Sequence, residues 1–237
     1  GFVVTVDDRR QGSWSAFPVR SGSRVTIRPG PWGSWAYLAF SAVLETETWL
    51  GSAATHAHSG FGGGKLTAGD VLQGELTAGA GIAHQFPCPV FARPRSNLRV
   101  VLGPQDRFFA PDTIATFLGS AFTLTDAYDR MGVRLRGPIL LPNAALTLPS
   151  EAILRGSVQV AGDGVATVLL ADHQTTGGYP KIATLLSCDL DGFAQLRPHA
   201  PVAFQAVTPA RALQISRQHA TATARYLAGI SRRAATV

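Results

Sequence analysis

Reactive side chains crowd around a glycine pair in residues 171–185, which read ADHQTTGGYPKIATL. A turn needs the glycines but none of the polar residues beside them. The polar residues supply a carboxylate, an imidazole, an amide, two hydroxyls, a phenol and a cation. Two interpretations stay open: a hairpin whose polar residues face solvent, and a site for an elongated polar ligand or a developing oxyanion. The segment contains hydrogen-bond donors, acceptors and charges of both signs. This mixture favours a ligand site over an exposed hairpin.

Short strands are the elements that must position this segment. The sequence contains 25 Gly and 15 Pro, spread along its length, which is typical of many strands joined by tight turns. Apolar runs predict strands at VVTV, RVTI, WAYLAF, LRVVLG, AFTLT, MGVRLRG, SVQV, VATVLLA, IATLLSC and PVAFQAV. VATVLLA is apolar throughout, which predicts a strand covered on both faces directly before the polar segment. The fold class expected is mainly β, or β-rich α+β.

Two helices and one boundary complete the predicted organisation. APDTIATFLGS starts with Pro111 and Asp112 and stops at Gly119, and a longer C-terminal helix runs from Thr208, its N-cap, to about Ile230. The turn-forming stretch FARPRSN predicts a domain boundary near residue 92. We therefore expect an N-terminal part at 1–92 and a C-terminal part at 93–237.

Charge and hydropathy exclude several classes of protein. The formal charge is +6, but the basic residues are scattered and no recognition motif accompanies them, so no nucleic-acid partner is expected. No apolar run approaches the roughly 18 residues that a membrane helix needs, and the first residues do not resemble a signal peptide. Cys88 and Cys188 lie far apart, which suits a reducing compartment, although a single bridge stays open. The cytoplasm is the expected location.

Five motifs follow one another within roughly residues 49–215: GSAATHAHSGFGG, LRVVLGPQDRFF, DAYDRMGVRLRGP, LADHQTTGGYPKIATL and AQLRP. Together they resemble the allophanate hydrolase subunit 2 family, also described as KipA-like, as the C-subunit of 5-oxoprolinase and as half of the carboxyltransferase domain of urea carboxylase. The resemblance implies cyclophilin-like β-barrels, a KipI-like (allophanate hydrolase subunit 1) partner, and amide chemistry that depends on ATP or biotin. ATP would be bound by the complex and biotin carried by a partner.

The chain also departs from this family. Ala53 and Ala54 stand where relatives carry an Arg and a hydroxyl, and His173 stands where relatives often carry Arg. These exchanges alter the donors available to a ligand. The family's GPLTTVQDLGR-like start is not found here, so the first barrel is expected to be incomplete.

Roles for the candidate residues follow from the chemistry that the resemblance implies. Holding a planar ureido or lactam group requires donors for its oxygen and acceptors for its N–H groups. Catalytic roles are predicted for Asp172, Gln174 and Lys181. Substrate-binding roles are predicted for Arg130, as a carboxylate clamp, and for Met131, Thr175, Thr176, Gly177, Gly178 and Tyr179. An ion pair from Arg130 to Asp129 or Asp126 is the open alternative.

Two other motifs carry weaker signals. His56 and His58 alternate in HAH, but no third ligand lies nearby, so no metal site is predicted. GFGGGK at 60–65 lacks the Lys-Ser/Thr ending of a phosphate loop, so ATP is not expected there.

Two functions from different classes therefore remain. The first is a subunit of an ATP-dependent amidohydrolase or carboxyltransferase complex that acts on a small cyclic amide or urea-like substrate and is active only with its partners. The alternative is a non-catalytic, KipA-like regulator of a KipI-like protein. A prolyl isomerase is a third idea, suggested by the barrel architecture alone.

Overall fold

The computed structural model describes residues 1–56, 59–77, 83–143 and 148–235, with the backbone alone for 232–235. The described chain divides into two compact units, one formed by Gly1–Ala36 with Ala83–Val237 and the other by Tyr37–Ile82. The predicted division at residue 92 stays a prediction.

The strands are short and lie throughout the described chain. Before the barrel they are β1 Val3–Val6, β2 Arg9–Gln11, β3 Ser15–Ala16, β4 Val25–Arg28, β5 Ala42–Leu44, β6 Gly74–Leu76 and β7 His84–Gln85. The later strands are β8 Asn97–Leu102, β9 Ala121–Tyr128, β10 Gly132–Arg136, β11 Glu151–Ala152, β12 Ser157–Val160, β13 Ala166–Leu169, β14 Thr176–Gly177, β15 Lys181–Leu185 and β16 Pro201–Ala206. The helices are α1 Pro111–Gly119, α2 Ser187–Ala194 and α3 Pro209–Ala235, with 3-10 turns at Val90–Ala92 and Asp106–Phe108.

A closed barrel dominates the first unit. Within the described residues its seven strands follow the order β10-β13-β12-β15-β8-β16-β9, and β9 returns to β10. β16 pairs in parallel with β8, and the other neighbours are antiparallel. Closure leaves no unpaired sheet edge in the barrel. The mainly β fold with a barrel, short helices and a C-terminal helix, predicted above, is confirmed.

Alternating side chains fill the core of the barrel. On β10, Val133 and Leu135 are buried whereas Arg134 and Arg136 are exposed, as the period of a half-buried strand requires. Helix α1 packs Phe117 against Phe204 of β16, with ring centroids 4.5 Å apart. Burial of such rings is the main source of stability in a domain of this size.

Helix α2 is held to the barrel by a buried carboxylate. Asp189 is fully buried and accepts hydrogen bonds from the backbone N and from Nε of Arg99 on β8, both at 2.9 Å. The guanidinium of Arg95 lies 3.4 Å from the same carboxylate. Burial alone would raise the pKa of Asp189, but the hydrogen bonds from Arg99 and the charges of both arginines hold it below its usual value.

The N-terminal strands sit in the same unit and are tied to the chain that follows α2. Oε1 of Gln195 accepts from the backbone N of Ser34 and of Trp35, and its Nε2 donates to Trp35 O. Arg197 donates to the carbonyls of Gly30 and Gly33. These contacts join the segment that follows β4 to the residues that follow α2.

Three predicted elements need correction. WAYLAF at 35–40 is not a strand, because the backbone of Trp35 bonds to the side chain of Gln195 and not to a neighbouring strand. The predicted strand IATLLSC ends at Leu185, and Ser187–Ala194 is α2. The C-terminal helix starts as predicted, with Thr208 Oγ1 accepting from Arg211 N at 3.2 Å, but it continues to Ala235 because residues 231–235 contain no helix breaker.

The second unit contains a two-stranded sheet, in which β5 and β6 pair antiparallel. The rings of Trp49 and Phe61 stack with centroids 4.3 Å apart. Several large apolar side chains of this unit are more than four-fifths exposed: Tyr37, Leu50, Val71 and Leu76. No helix in the described chain is both long enough and apolar enough to cross a membrane.

Candidate functional site

The polar segment connects two neighbours of the same barrel strand, since β13 and β15 both pair with β12. Within it, β14 pairs with β11, and Ile153 N donates to Thr175 O at 3.0 Å. The segment is therefore bound at its middle as well as at both ends. Two barrel strands and a small sheet give it the rigid support that a functional site requires.

The glycine pair allows close packing of the backbone. A Cβ at Gly178 would lie 2.8 Å from Leu148 O, and one at Gly177 would lie 2.6 Å from Ile153 Cδ1. Neither glycine has a left-handed φ, so close packing and not a positive φ accounts for the two glycines. In this structure the backbone of the pair closely approaches the chain at residues 148–153.

Lys181 begins β15 as a buried cation. Its side chain is 2% exposed, and its Nζ has no hydrogen-bond acceptor within range among the described residues. Glu151 Oε2 lies 3.9 Å away, on a side chain that is 48% exposed. The pairing register passes from Val158–Ala183 to Gln159–Lys181 and so skips Ile182, which places a β-bulge beside the lysine. Bulges re-aim side chains near functional sites.

Buried amides surround this lysine. Gln105 is 1% exposed, its Oε1 accepts from Lys181 N at 3.0 Å and its Nε2 donates to Glu151 Oε2 at 2.5 Å. Gln159, opposite Lys181 in register, accepts from Gln174 Nε2 at 3.3 Å. The structure therefore brings predicted residues Gln174 and Lys181 to one cluster through Gln159.

Sequence reasoning missed Gln105, Glu151 and Gln159. Gln105 lies in the motif LRVVLGPQDRFF, and Gln159 lies between two valines in the strand SVQV, where Ser157 is also buried. A glutamine inside a run of buried residues is a signal, because a buried amide must find partners. Glu151 carries no comparable signal.

Arg130 and Asp172 bind one another. Nε and Nη2 of Arg130 donate to the two carboxylate oxygens of Asp172 at 2.7 and 2.8 Å, and Asp172 N donates to Arg130 O. The ion-pair partner of Arg130 is therefore Asp172, and not Asp129 or Asp126 as considered above. Asp129 Oδ1 accepts from the backbone N of Met131 and of Gly132, and Asp126 lies 3.3 Å from His199 Nε2.

The other side chains predicted for the site are at least partly exposed. Thr175, Thr176 and Tyr179 are exposed, whereas Met131 is half-buried. His173 Nδ1 donates to Gln174 O at 2.6 Å, which turns the imidazole back onto its own segment. These residues are accessible to a ligand, and their roles remain proposals.

The weaker motifs gain no support as sites. His56 Nδ1 lies 2.8 Å from Ser59 Oγ, and His58 lies outside the described residues. No group of three or more His, Cys, Asp or Glu in the described ranges could hold a metal ion. Residues 59–77 contain no helix to follow GFGGGK, so that stretch lacks the helix N-terminus of a phosphate loop.

A family model described as the carboxyltransferase domain, subdomain A and B, matches residues 1–206. The chain belongs to this carboxyltransferase family. Its sequence is similar to the 5-oxoprolinase C-subunit of Haemophilus influenzae, 32% identical over 225 residues that cover 92% of this chain and 71% of that protein. It is also 31% identical over 208 residues to the 5-oxoprolinase C-subunit of Escherichia coli, covering 86% of this chain and 66% of that one.

The fold of this carboxyltransferase family member is similar to that of the Kluyveromyces lactis urea carboxylase. The crystal structure of that enzyme superposes with a TM-score of 0.80 at 21% identity and covers 95% of this chain and 22% of the other. At that identity the likeness concerns the fold. The carboxyltransferase assignment agrees with the resemblance carried by the motifs, which is thereby confirmed.

Proposed function

We propose that this chain is a subunit of an ATP-dependent amidohydrolase or carboxyltransferase complex that acts on a small cyclic amide or urea-like substrate. The observation that carries the proposal is the buried amine of Lys181, which has no hydrogen-bond acceptor within range among the described residues. Burying an ammonium without such a partner is costly, and a ligand that accepts hydrogen bonds from the amine would offset that cost.

The names of the relatives support the substrate class and the dependence on partners. The two bacterial relatives are subunits of a 5-oxoprolinase, and the structural neighbour is a urea carboxylase. Cyclic amides and ureas share a planar carbonyl flanked by nitrogen. We accordingly propose hydrolase chemistry on C–N bonds, with activity that requires a KipI-like partner subunit.

Lys181 is placed to stabilise negative charge on the carbonyl oxygen of such a group. Its ammonium has three donors, and in the buried site they act with little competition from water. Gln174, hydrogen-bonded to Gln159, which pairs with Lys181 in strand register, offers a further donor and acceptor. The segment between Gln174 and Lys181 contains Gly177 and Gly178. Its accessible side chains are those of Thr175, Thr176 and Tyr179.

Asp172 and Arg130 form the second part of the proposed site. Because the guanidinium already binds both oxygens of Asp172, a substrate carboxylate would have to share it or replace Asp172. Met131 supplies an apolar wall next to this pair. We propose that the ion pair holds the start of the segment in place until the ligand binds.

The cluster around Lys181 fits a ureido group, because a donor for its oxygen and a carboxylate for its N–H lie 3.9 Å apart. Biotin carried by a partner would supply a transferable carboxyl group on such a ring, and ATP bound elsewhere in the complex would supply a phosphoryl group. Lys181, Glu151 and Gln174 would hold the ring.

The test compares two lysine variants, since Lys65 and Lys181 are the two lysines of the sequence. The chain is assembled with its KipI-like partner and the associated amidohydrolase subunit, and glutamate release from 5-oxoproline with ATP is measured, followed by urea carboxylation. Lys181→Met is expected to lower turnover by about 10²- to 10³-fold, the effect of removing one oxyanion donor. The exposed Lys65→Met serves as the matched control and should leave turnover unchanged.

Equal turnover in the two variants would contradict a role for Lys181. A stable complex in which this chain is dispensable for every turnover measured would instead support the regulatory, KipA-like alternative.

A further inference from the structure

The amine of Lys181 and the carboxylate of Glu151 lie next to one another without a hydrogen bond between them. Their closest atoms, Nζ and Oε2, are 3.9 Å apart, beyond the range of a hydrogen bond. The amine is almost fully buried, whereas the carboxylate is half-exposed. The carboxylate is thus the member of the pair that reaches solvent, and the amine is the member with unused donors.

Gln105 holds both groups in place. The backbones of Gln105 and Lys181 are joined by a hydrogen bond from Gln105 N to Lys181 O at 3.2 Å. The side chain of Gln105 accepts from Lys181 N and donates to Glu151 Oε2, the same oxygen that faces Nζ. A fully buried amide that uses both its ends in this way fixes the carboxylate relative to the lysine.

We propose that Lys181 and Glu151 together bind one edge of a planar amide whose C=O and N–H lie on the same side. Lys181 donates to the oxygen, Glu151 accepts from the N–H, and Gln105 is the positioning residue for Glu151. A small ring forces this arrangement, whereas an open secondary amide is trans and presents the two groups on opposite sides. The inference rests on the proposed function and assigns the selectivity of the same site to Glu151.

Binding to the isolated chain tests the inference without any turnover. The protein is labelled with ¹³C and ¹⁵N lysine, which gives side-chain signals from Lys181 and from Lys65, the latter an internal control. The probes are 2-imidazolidinone, a cyclic urea with two N–H groups, and 1,3-dimethyl-2-imidazolidinone, which keeps the oxygen but has no N–H. The variants are Glu151→Ala and, as matched control, Glu75→Ala, which removes an exposed carboxylate of β6.

We expect 2-imidazolidinone to shift the signal of Lys181 and not that of Lys65. The dimethyl probe should bind the unchanged chain about tenfold more weakly, a difference of about 1.4 kcal/mol for one lost hydrogen bond to a charged group. Glu151→Ala should bind both probes alike, whereas Glu75→Ala should keep the preference. Thermal unfolding of each variant verifies that the fold is intact.

Equal binding of the two probes by the unchanged chain would overturn the role of Glu151, and so would a preference that survives in Glu151→Ala. A Lys181 signal that responds to neither probe would overturn the inference as a whole. Turnover that depends on Lys181 in the complex would leave the proposed function standing in all of these cases.

Discussion

Two carboxylates of this chain show how surroundings decide what a charged residue does. Glu151 lies 3.9 Å from the buried amine of Lys181 without a hydrogen bond to it, and its side chain is half-exposed. Asp189 is fully buried, and Arg99 saturates it with hydrogen bonds from its side chain and its backbone. The first arrangement leaves donors for a ligand, whereas the second leaves none. Asp189 is therefore interpreted as a structural anchor of α2.

Removing the partner of Asp189 is expected to destabilise the fold. Arg99→Met leaves a buried carboxylate without its main donors, which costs about 3–5 kcal/mol of the free energy of unfolding. Arg155→Met is the matched control, because it removes an exposed ion pair to Asp191 on the same helix and should cost at most about 1 kcal/mol. Urea denaturation at pH 7 measures both. Similar losses in the two variants would contradict the anchor.

The same carboxylate predicts a dependence of stability on acid. The pKa of Asp189 is held below its usual value, so the unfolded chain binds the proton more readily and stability falls as the pH falls. The contribution is present above the unfolded pKa of about 4 and is lost as the pH drops through the folded value. Denaturation between pH 6 and pH 2.5 should show a smaller acid loss in Arg99→Met than in the unchanged chain. An identical loss would show that Asp189 does not contribute.

At the scale of elements, the support of the polar segment depends on β14 packing closely against the chain near β11. Gly178→Ala places a methyl group 2.8 Å from the backbone oxygen of Leu148, and we expect a loss of about 1–3 kcal/mol. Gly119→Ala is the matched control, since its Cβ meets nothing within 4 Å at the end of α1, and it should be neutral or stabilising by up to about 1 kcal/mol. Thermal unfolding distinguishes the two. A neutral Gly178→Ala would mean that the segment adjusts freely.

At the scale of the whole molecule, the unit formed by Tyr37–Ile82 has several large apolar side chains that are almost fully exposed. Tyr37, Leu50 and Leu76 are 95%, 90% and 89% exposed. Large exposed apolar side chains promote association where they form a patch. The combined changes Tyr37→Ser, Leu50→Asn and Leu76→Thr should lower self-association at high concentration, as measured by sedimentation velocity, without lowering the unfolding temperature of the barrel. Leu50 has φ 50°, which Asn tolerates better than Leu.

Unchanged sedimentation would show that these side chains do not drive association. An unfolding temperature that falls with the three changes would show instead that they stabilise the fold.

The sequence by itself determined the elements whose signals are local. The alternation of Val133 and Leu135, the Pro111 start of α1 and the Thr208 cap of α3 each depend on residues within one or two turns of chain, and all were predicted. The motifs, taken together, were specific enough to indicate the carboxyltransferase family. The WAYLAF run was misinterpreted because an apolar run does not reveal whether a neighbouring strand exists to pair with it.

Only the tertiary structure decided the surroundings of the candidate residues. Lys181 is 76 positions from Gln105 and 30 from Glu151, yet one amide and one carboxylate from those positions define its site. Arg130 likewise binds Asp172, 42 positions away. The burial of a side chain and its hydrogen-bond partners depend on how distant strands close into a barrel. The residue type alone does not reveal that closure. The sequence therefore indicated which side chains could react. The barrel determined that, of these, Lys181 has an amine without a hydrogen-bond acceptor among the described residues.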